Sequence, residues 1–214
     1  MVKVISVSGV DGAGKSTQAS LLYTYFLRKG YRVRYLWLRW FGFLTYPLYL
    51  YAKLTKKTFN VRRGRYVIKI HLFWLDPALR RLYPYVMALD VYMAYVVNKI
   101  LSRLRGATIV ILDRALLDAV VDITWETRSI AFLQGFMGRL LSKMLREVIA
   151  IVLTTSIDKV IRRKSDIVSI REFEFKKKCF ETLAKHLNIP VIDTSNRSIV
   201  ETFSGIVKQI ATKL

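Results

Sequence analysis

The chain has 214 residues, 53% of them apolar and 24% charged, and its 36 Lys and Arg against 15 Asp and Glu leave a formal net charge of +21. That apolar fraction excludes general disorder, and the length fits one α/β domain with a sizeable core. No Pro-, Gly- or Ser-rich stretch, repeat or low-complexity tract divides the chain, so residues 1–214 read as a single domain with insertions. The excess of cations favours polyanionic partners, whether nucleic acid, an anionic membrane surface or phosphorylated substrates; a solvated basic surface without a dedicated partner is the plain alternative. The single cysteine, Cys179, forms no internal disulfide and agrees with a reducing compartment. The start, MVKVISVS, lacks the apolar core and cleavage site of a signal peptide, which predicts a cytoplasmic protein, possible contact with the membrane being peripheral.

In chain order, residues 2–7 are β-branched and suit a buried parallel strand, and residues 15–29 read as a helix stopped by Gly30. Residues 31–37 form a second strand, which completes a strand–loop–helix–strand unit. Helical periodicity then runs over 82–104 with Gly106 closing it, followed by a third strand at 108–112 and helices at 116–126 and 130–146. Strands at 148–153 and 189–192 flank helices at 157–164 and 172–187, and a last helix covers 199–213. This alternation predicts an α/β fold with a five-stranded parallel sheet flanked by helices on both faces. Residues 36–106 depart from the pattern. They hold most of the Trp and Tyr, many Lys and Arg, and two acids, Asp76 and Asp90, and they are read as a helical insert in the α/β order. Its apolar runs, 40–52 and 82–97, fall short of the about 20 residues a spanning helix needs. Core-covering helices with snorkelling cations are the simplest account of it.

Between the first strand and the first helix lies Gly9-Val10-Asp11-Gly12-Ala13-Gly14-Lys15-Ser16-Thr17, which matches G-x-x-x-x-G-K-[ST]. Glycines let the backbone curl so that successive N–H groups point at phosphate oxygens, and the helix N-terminus adds its free N–H groups and positive dipole end. Lys15 can reach the terminal phosphates and the Ser16 hydroxyl can ligate Mg²⁺. The P-loop NTPase fold follows, with ATP as ligand, Mg²⁺ as its companion, and Gly9, Asp11, Gly12, Ala13, Gly14, Lys15, Ser16 and Thr17 as the ATP-binding residues.

With Leu112-Asp113-Arg114 placed beside this loop, the chain resembles the thymidylate kinase family of nucleoside monophosphate kinases, as a divergent member. The resemblance is close from Ser8 to Gln18, continues in Asp113-Arg114 and returns weakly after Val148, covering roughly two-thirds of the chain by element order. It implies transfer of the γ-phosphoryl group of ATP to dTMP or a related monophosphate. It also implies roles: Asp113 as the strand-end carboxylate near Mg²⁺ and the acceptor, Arg114 as the grip on the acceptor phosphate, and Asp11 as an acid facing the acceptor sugar. Metal contacts would be Ser16 and Asp113. Because Ala13 is small, the resemblance places the transition-state arginine in a lid, residues 160–172, with Arg162 and Arg163 as candidates and Arg171 as another. Lys15, Asp113, Arg114, Arg162 and Arg163 are thus the catalytic candidates. The family also suggests a homodimer.

The departures lie on the acceptor side. The family follows its arginine after the second strand with Pro or Glu-Pro, whereas Arg39 precedes Trp40-Phe41-Gly42. The helix before the third strand carries Asp90-Val91-Tyr92 where the family has an arginine. After Asp113-Arg114 the family has a serine-bearing run, and this chain has Ala115-Leu116-Leu117-Asp118 leading to Asp122. Asp118 and Asp122 lie four apart on one helix face, in the acceptor pocket or in solvent. Arg39, Arg114, Asp11 and Asp118 are the candidate acceptor contacts. A lipid-linked or sugar acceptor at a membrane surface, an ATP-binding regulatory protein without acceptor, and a single-strand nucleic-acid partner are the alternatives. His71 and His186 stand without metal-ligand spacing, and no zinc or redox site is expected.

Overall fold

A computed structural model describes residues 2–38, 42–63, 66–114, 116–163 and 169–213. In chain order the elements are β1 (Lys3–Gly9), α1 (Lys15–Arg28), β2 (Val33–Trp37), α2 (Tyr46–Leu54), β3 (Thr58–Arg63), β4 (Tyr66–His71), α3 (Pro77–Leu104), β5 (Ile109–Asp113), α4 (Leu116–Thr127), α5 (Phe136–Arg146), β6 (Val148–Thr154), α6 (Ile157–Arg163), α7 (Ile170–His186), β7 (Val191–Asp193) and α8 (Ile199–Ala211). β1, β2, β5, β6 and β7 form one five-stranded sheet in the order β2-β5-β1-β6-β7, every pairing parallel. This is the expected α/β architecture.

The strand residues divide between two cores with a period of two, as a sheet covered on both faces requires. Val4, Val110 and Leu112 face α3, α4 and α5, packing with Met87, Val91, Ile123 and Leu141. Ile5, Val7, Ile109 and Ile111 face the other way, against Leu22 and Phe26 of α1, Phe180 of α7 and Ile206 of α8. The register pairs Val7 with Asp113 and Gly9 with Leu153, which sets the carboxyl ends of β1, β5 and β6 side by side. Ligands of open α/β sheets bind at that edge.

The insert, residues 36–106, is not wholly helical. Thr58–Arg63 and Tyr66–His71 pair antiparallel as a hairpin, separate from the main sheet. α3 also starts earlier than its periodicity indicated. Asp76 is its N-cap, Oδ1 accepting from the N–H groups of Ala78 (2.9 Å) and Leu79 (3.0 Å), and Pro77 occupies the first turn, where a missing N–H costs nothing. The helix then runs through Pro84 without ending. Asp90, the other acid of the insert, is buried and structural: its carboxylate accepts from the N–H groups of Leu44 (3.0 Å) and Thr45 (2.8 Å) and from the Thr45 hydroxyl, tying the start of α2 to the middle of α3. The expected 130–146 helix is divided, a 3-10 turn at Ala131–Gln134 preceding α5, with Gly135 extended between them.

Candidate active site

The phosphate loop is shaped by Gly9. Its φ is +137°, and a Cβ there would lie 1.9 Å from the Leu153 carbonyl oxygen, so no other residue fits between β1 and β6. Val10 N–H donates to the same carbonyl (3.1 Å), and the Thr194 hydroxyl at the end of β7 bonds the Ala13 (3.3 Å) and Thr154 (3.0 Å) carbonyls. The loop is therefore anchored to two neighbouring strands, and it delivers Lys15 to the first turn of α1. The Lys15 side chain is buried, its ammonium donating to the carbonyls of Gly9 (2.7 Å) and Val10 (2.8 Å) with Asp11 Oδ1 at 3.4 Å. Burial lowers its pKa, partly countered by the charges of Asp11 and Asp118. A cation held by carbonyls at the loop mouth is poised to exchange them for phosphate oxygens.

β5 supplies the opposite wall. Asp113 is buried, and its Oδ2 accepts from the Tyr35 hydroxyl (2.7 Å). Burial and that bond raise the Tyr35 pKa well above its usual value, so the phenol stays a donor. Asp113 Oδ1 is buried with no hydrogen-bond partner among the described residues. The next residue, Arg114, has φ +62°, in the left-handed region that a non-glycine residue enters at a cost of about 1–3 kcal/mol. This turn, with Arg114 N–H on the Val7 carbonyl (3.2 Å), swings its guanidinium back to the loop, where Nη2 meets Asp11 Oδ1 at 2.5 Å. Burial works against its charge, and the carboxylates of Asp11 and Asp118 more than compensate, raising its pKa.

Asp118 stands one turn into α4, buried, within the field of Lys15 and Arg114 and hydrogen-bonded to Ser8. Burial dominates and raises its pKa despite those partners. Asp122, four residues on, joins Lys176 of α7 at 2.7 Å, and Lys176 also holds Glu172 at 2.8 Å. Neither acid is simply solvated: Asp118 belongs to the loop site and Asp122 to a bridge between α4 and α7.

A cleft of about 450 Å³ opens beside the loop, lined by residues 12–18, Arg114, Thr194, Arg197, Ser198, Ile199 and Thr202. Of the expected site residues it gathers Gly12, Ala13, Gly14, Lys15, Ser16, Thr17 and Arg114, while Gly9, Asp11, Asp113 and Asp118 do not line it. Sequence reasoning missed its far wall. Gln18 is buried and donates to the Ile199 carbonyl (3.0 Å), and the 194–198 turn leads into α8 through a Ser198–Glu201 capping box. The S-x-x-E signature after a strand end was the available signal. Arg39 lies outside the described residues, as do the side chains of Arg162 and Arg163 and much of the 160–172 lid. Arg171 is described but does not line the cleft; it lies near enough to Arg128 to add to the effect of burial in lowering that residue's pKa.

The residues present fit Mg²⁺ carried by ATP. Ser16 is exposed on the first turn of α1, and the orphaned Asp113 oxygen can take a hard cation or its water. Mg²⁺ keeps several waters and phosphate oxygens and needs one or two protein oxygens. Among the described residues no group of three or more His, Cys, Asp or Glu forms a cage of another kind.

The sequence matches no protein-family model and no curated protein. Solved structures do match. The thymidylate kinase of Candida albicans superposes with a TM-score of 0.60 at 19% identity, over 99% of this chain and 92% of that one. The thymidylate kinase of Ehrlichia chaffeensis does so with a TM-score of 0.51 at 18% identity, over 98% of each chain. From end to end, then, the chain has the P-loop kinase fold of thymidylate kinases, with a rewritten sequence laid over it.

Proposed function

We propose that the chain is an ATP-dependent kinase that moves the γ-phosphoryl group of ATP onto a nucleoside monophosphate, with dTMP the first acceptor to test. One observation carries the reading: Arg114, adjacent to the strand-end acid Asp113, joins Asp11 of the phosphate loop at 2.5 Å. That arrangement supports a donor phosphate in the loop and an acceptor phosphate on the Arg114 guanidinium, on opposite sides of the reacting phosphorus. The loop N–H groups and Lys15 hold the β- and γ-phosphates. An oxygen of the acceptor phosphate forms the new bond to the γ-phosphorus while its bond to the bridging oxygen of ADP breaks. The products are ADP and the acceptor diphosphate, and a dianionic acceptor has no proton to lose. Catalysis is then positioning and charge neutralisation, for which a planar guanidinium suits a phosphate better than an ammonium. Mg²⁺, held through Ser16 and Asp113, would neutralise charge on the bridging and γ-oxygens. Arg162 and Arg163 of the 160–172 lid remain the candidates for the cation that follows the transferring group.

A second reading keeps the reaction and changes the acceptor. The buried carboxylate of Asp118 beside Arg114 favours an acceptor whose body presents hydroxyl or amino donors, such as a sugar phosphate. Incubation with γ-labelled ATP and a panel of nucleoside and sugar monophosphates tests both readings. Label in a nucleoside diphosphate supports the first and label in a sugar diphosphate the second. ATP binding with label in neither would mean a nucleotide-binding protein without acceptor.

A further inference from the structure

α2, α3 and α5 form one outer layer: α2 and α5 both pack on α3, and Lys99 of α3 bonds Glu147 at the end of α5 at 2.5 Å. The outward face of α3 is apolar. Leu82, Tyr85, Leu89, Met93, Val97 and Ile100 are all exposed, at the three- and four-residue spacing of a single stripe. From Leu82 to Ile100 the stripe is roughly 27 Å long at helical rise. Beside it, α5 turns Met137, Leu141 and Met144 to the core and leaves Arg139, Lys143 and Arg146 exposed as a row. Arg80 and Arg81 stand at the start of α3 and line a cleft of about 360 Å³ with Trp74 and Tyr85.

Charge separates this layer from α4 and α7. Of the chain's 15 Asp and Glu, one, Asp90, lies on these three helices, and it is buried as the tie to α2. α4 and α7, by contrast, carry Asp118, Asp122, Glu126, Glu172, Glu174 and Glu181. An apolar stripe flanked by cations, with the one exposed acid beside it, Glu147, paired to Lys99, complements a surface that is apolar beneath and anionic above. No helix among the described residues is long and apolar enough to cross a membrane, so the stripe would lie in the interface plane.

We propose that the α3–α5 face seats the protein on an anionic lipid bilayer, the α3 stripe entering the headgroup boundary and the α5 row meeting lipid phosphates and carboxylates. The inference is independent of the phosphotransfer reading. A nucleic acid would use the cations and leave the stripe in water, and a second copy would use the stripe while bringing like charges together.

The test is flotation of the full chain with phosphatidylcholine vesicles, with and without phosphatidylserine. The expected result is flotation with the phosphatidylserine vesicles alone, released as salt is raised. Removing a cation near the surface weakens partitioning about fivefold, so R139Q together with K143Q lowers it about 25-fold. Met93→Asp, at an exposed position, lowers it as well while Mg·ATP binding is kept. Absence of flotation, equal flotation on both vesicle types, or partitioning unchanged in these variants would overturn the proposal. So would a two-chain mass in solution that Met93→Asp halves, since a second copy would then cover the face. Binding of a single-stranded oligonucleotide that R139Q/K143Q abolishes, with no flotation, would equally overturn it.

Discussion

Asp11 Oδ1 lies 2.5 Å from Arg114 Nη2 and 3.4 Å from Lys15 Nζ, so one carboxylate oxygen of the phosphate loop stands between two cations. The geometry links residues distant in sequence through the turn after β5, where Arg114 accepts a positive φ to turn back. Substitution at that position therefore has two separable effects. Ala and Gly both remove the guanidinium, but only Gly relieves the backbone. We expect both variants to lose acceptor-dependent turnover by about 10–10²-fold, the worth of a charge-assisted phosphate contact. We expect R114G to melt about 2–4 °C above R114A, from the roughly 1 kcal/mol of relieved strain. Equal melting temperatures would show that the turn is not strained.

The two ends of the loop respond differently to an added methyl group. At Gly9 a Cβ meets backbone, 1.9 Å from the Leu153 carbonyl oxygen, and neither strand can give way cheaply. Gly9→Ala is expected to cost about 3 kcal/mol or more in urea unfolding. Gly14 has open space around it but φ +86°, so Gly14→Ala costs about 1–2 kcal/mol through the backbone alone. A similar loss in both would contradict the close approach of β1 to β6.

Glu126 is buried near Tyr83 at the far end of α4, and burial, with the Asp122 charge adding to it, pushes its pKa up from 4.5 to about 8; the Tyr83 hydroxyl opposes this. The folded chain thus holds a proton that the unfolded chain releases. Its contribution is fully present below pH 4.5 and is lost as pH rises towards about 8. Glu126→Gln mimics the protonated side chain. Its urea midpoint should match wild type in acid and exceed it increasingly through that window. A constant difference at every pH would contradict the assignment.

Lys176 bridges Asp122 and Glu172, joining α4 to α7. Lys176→Met leaves two carboxylates facing each other without their cation. Because the site is partly open to solvent, a loss of about 1–2 kcal/mol is expected, and raised salt should shrink it. A salt-independent loss would point to packing.

The sheet and the phosphate loop were legible because each rests on local chemistry: β-branched runs buried on both faces, and a glycine pattern between a strand and a helix. The hairpin was not. Its alternation, Phe59 and Val61 between polar neighbours, is short and interrupted by cations, and it sat in a segment rich in aromatic residues that read as helical. The early start of α3 was written in Asp76-Pro77, an N-cap followed by a first-turn proline, whereas the expected helix followed the apolar periodicity and began only at Leu82. Asp113 and Arg114 were found through their place after a strand, whereas Thr194, Arg197 and Ser198 close the cleft only because β7 and α8 fold back from the other end of the chain. The Ser198–Glu201 spacing marks a helix start but not that this start closes a cleft beside the phosphate loop. The acceptor side was least legible, since base and sugar recognition depends on single side chains that this sequence has exchanged.

The most direct test of the account is ADP formation from Mg·ATP with and without dTMP, in the wild type and in R114A. Stimulation by dTMP that R114A abolishes, with ATP binding unchanged, is the predicted result. Stimulation that survives R114A would contradict the role given to Arg114, and ATP binding with no stimulation by dTMP would mean that the fold of a thymidylate kinase here serves another acceptor.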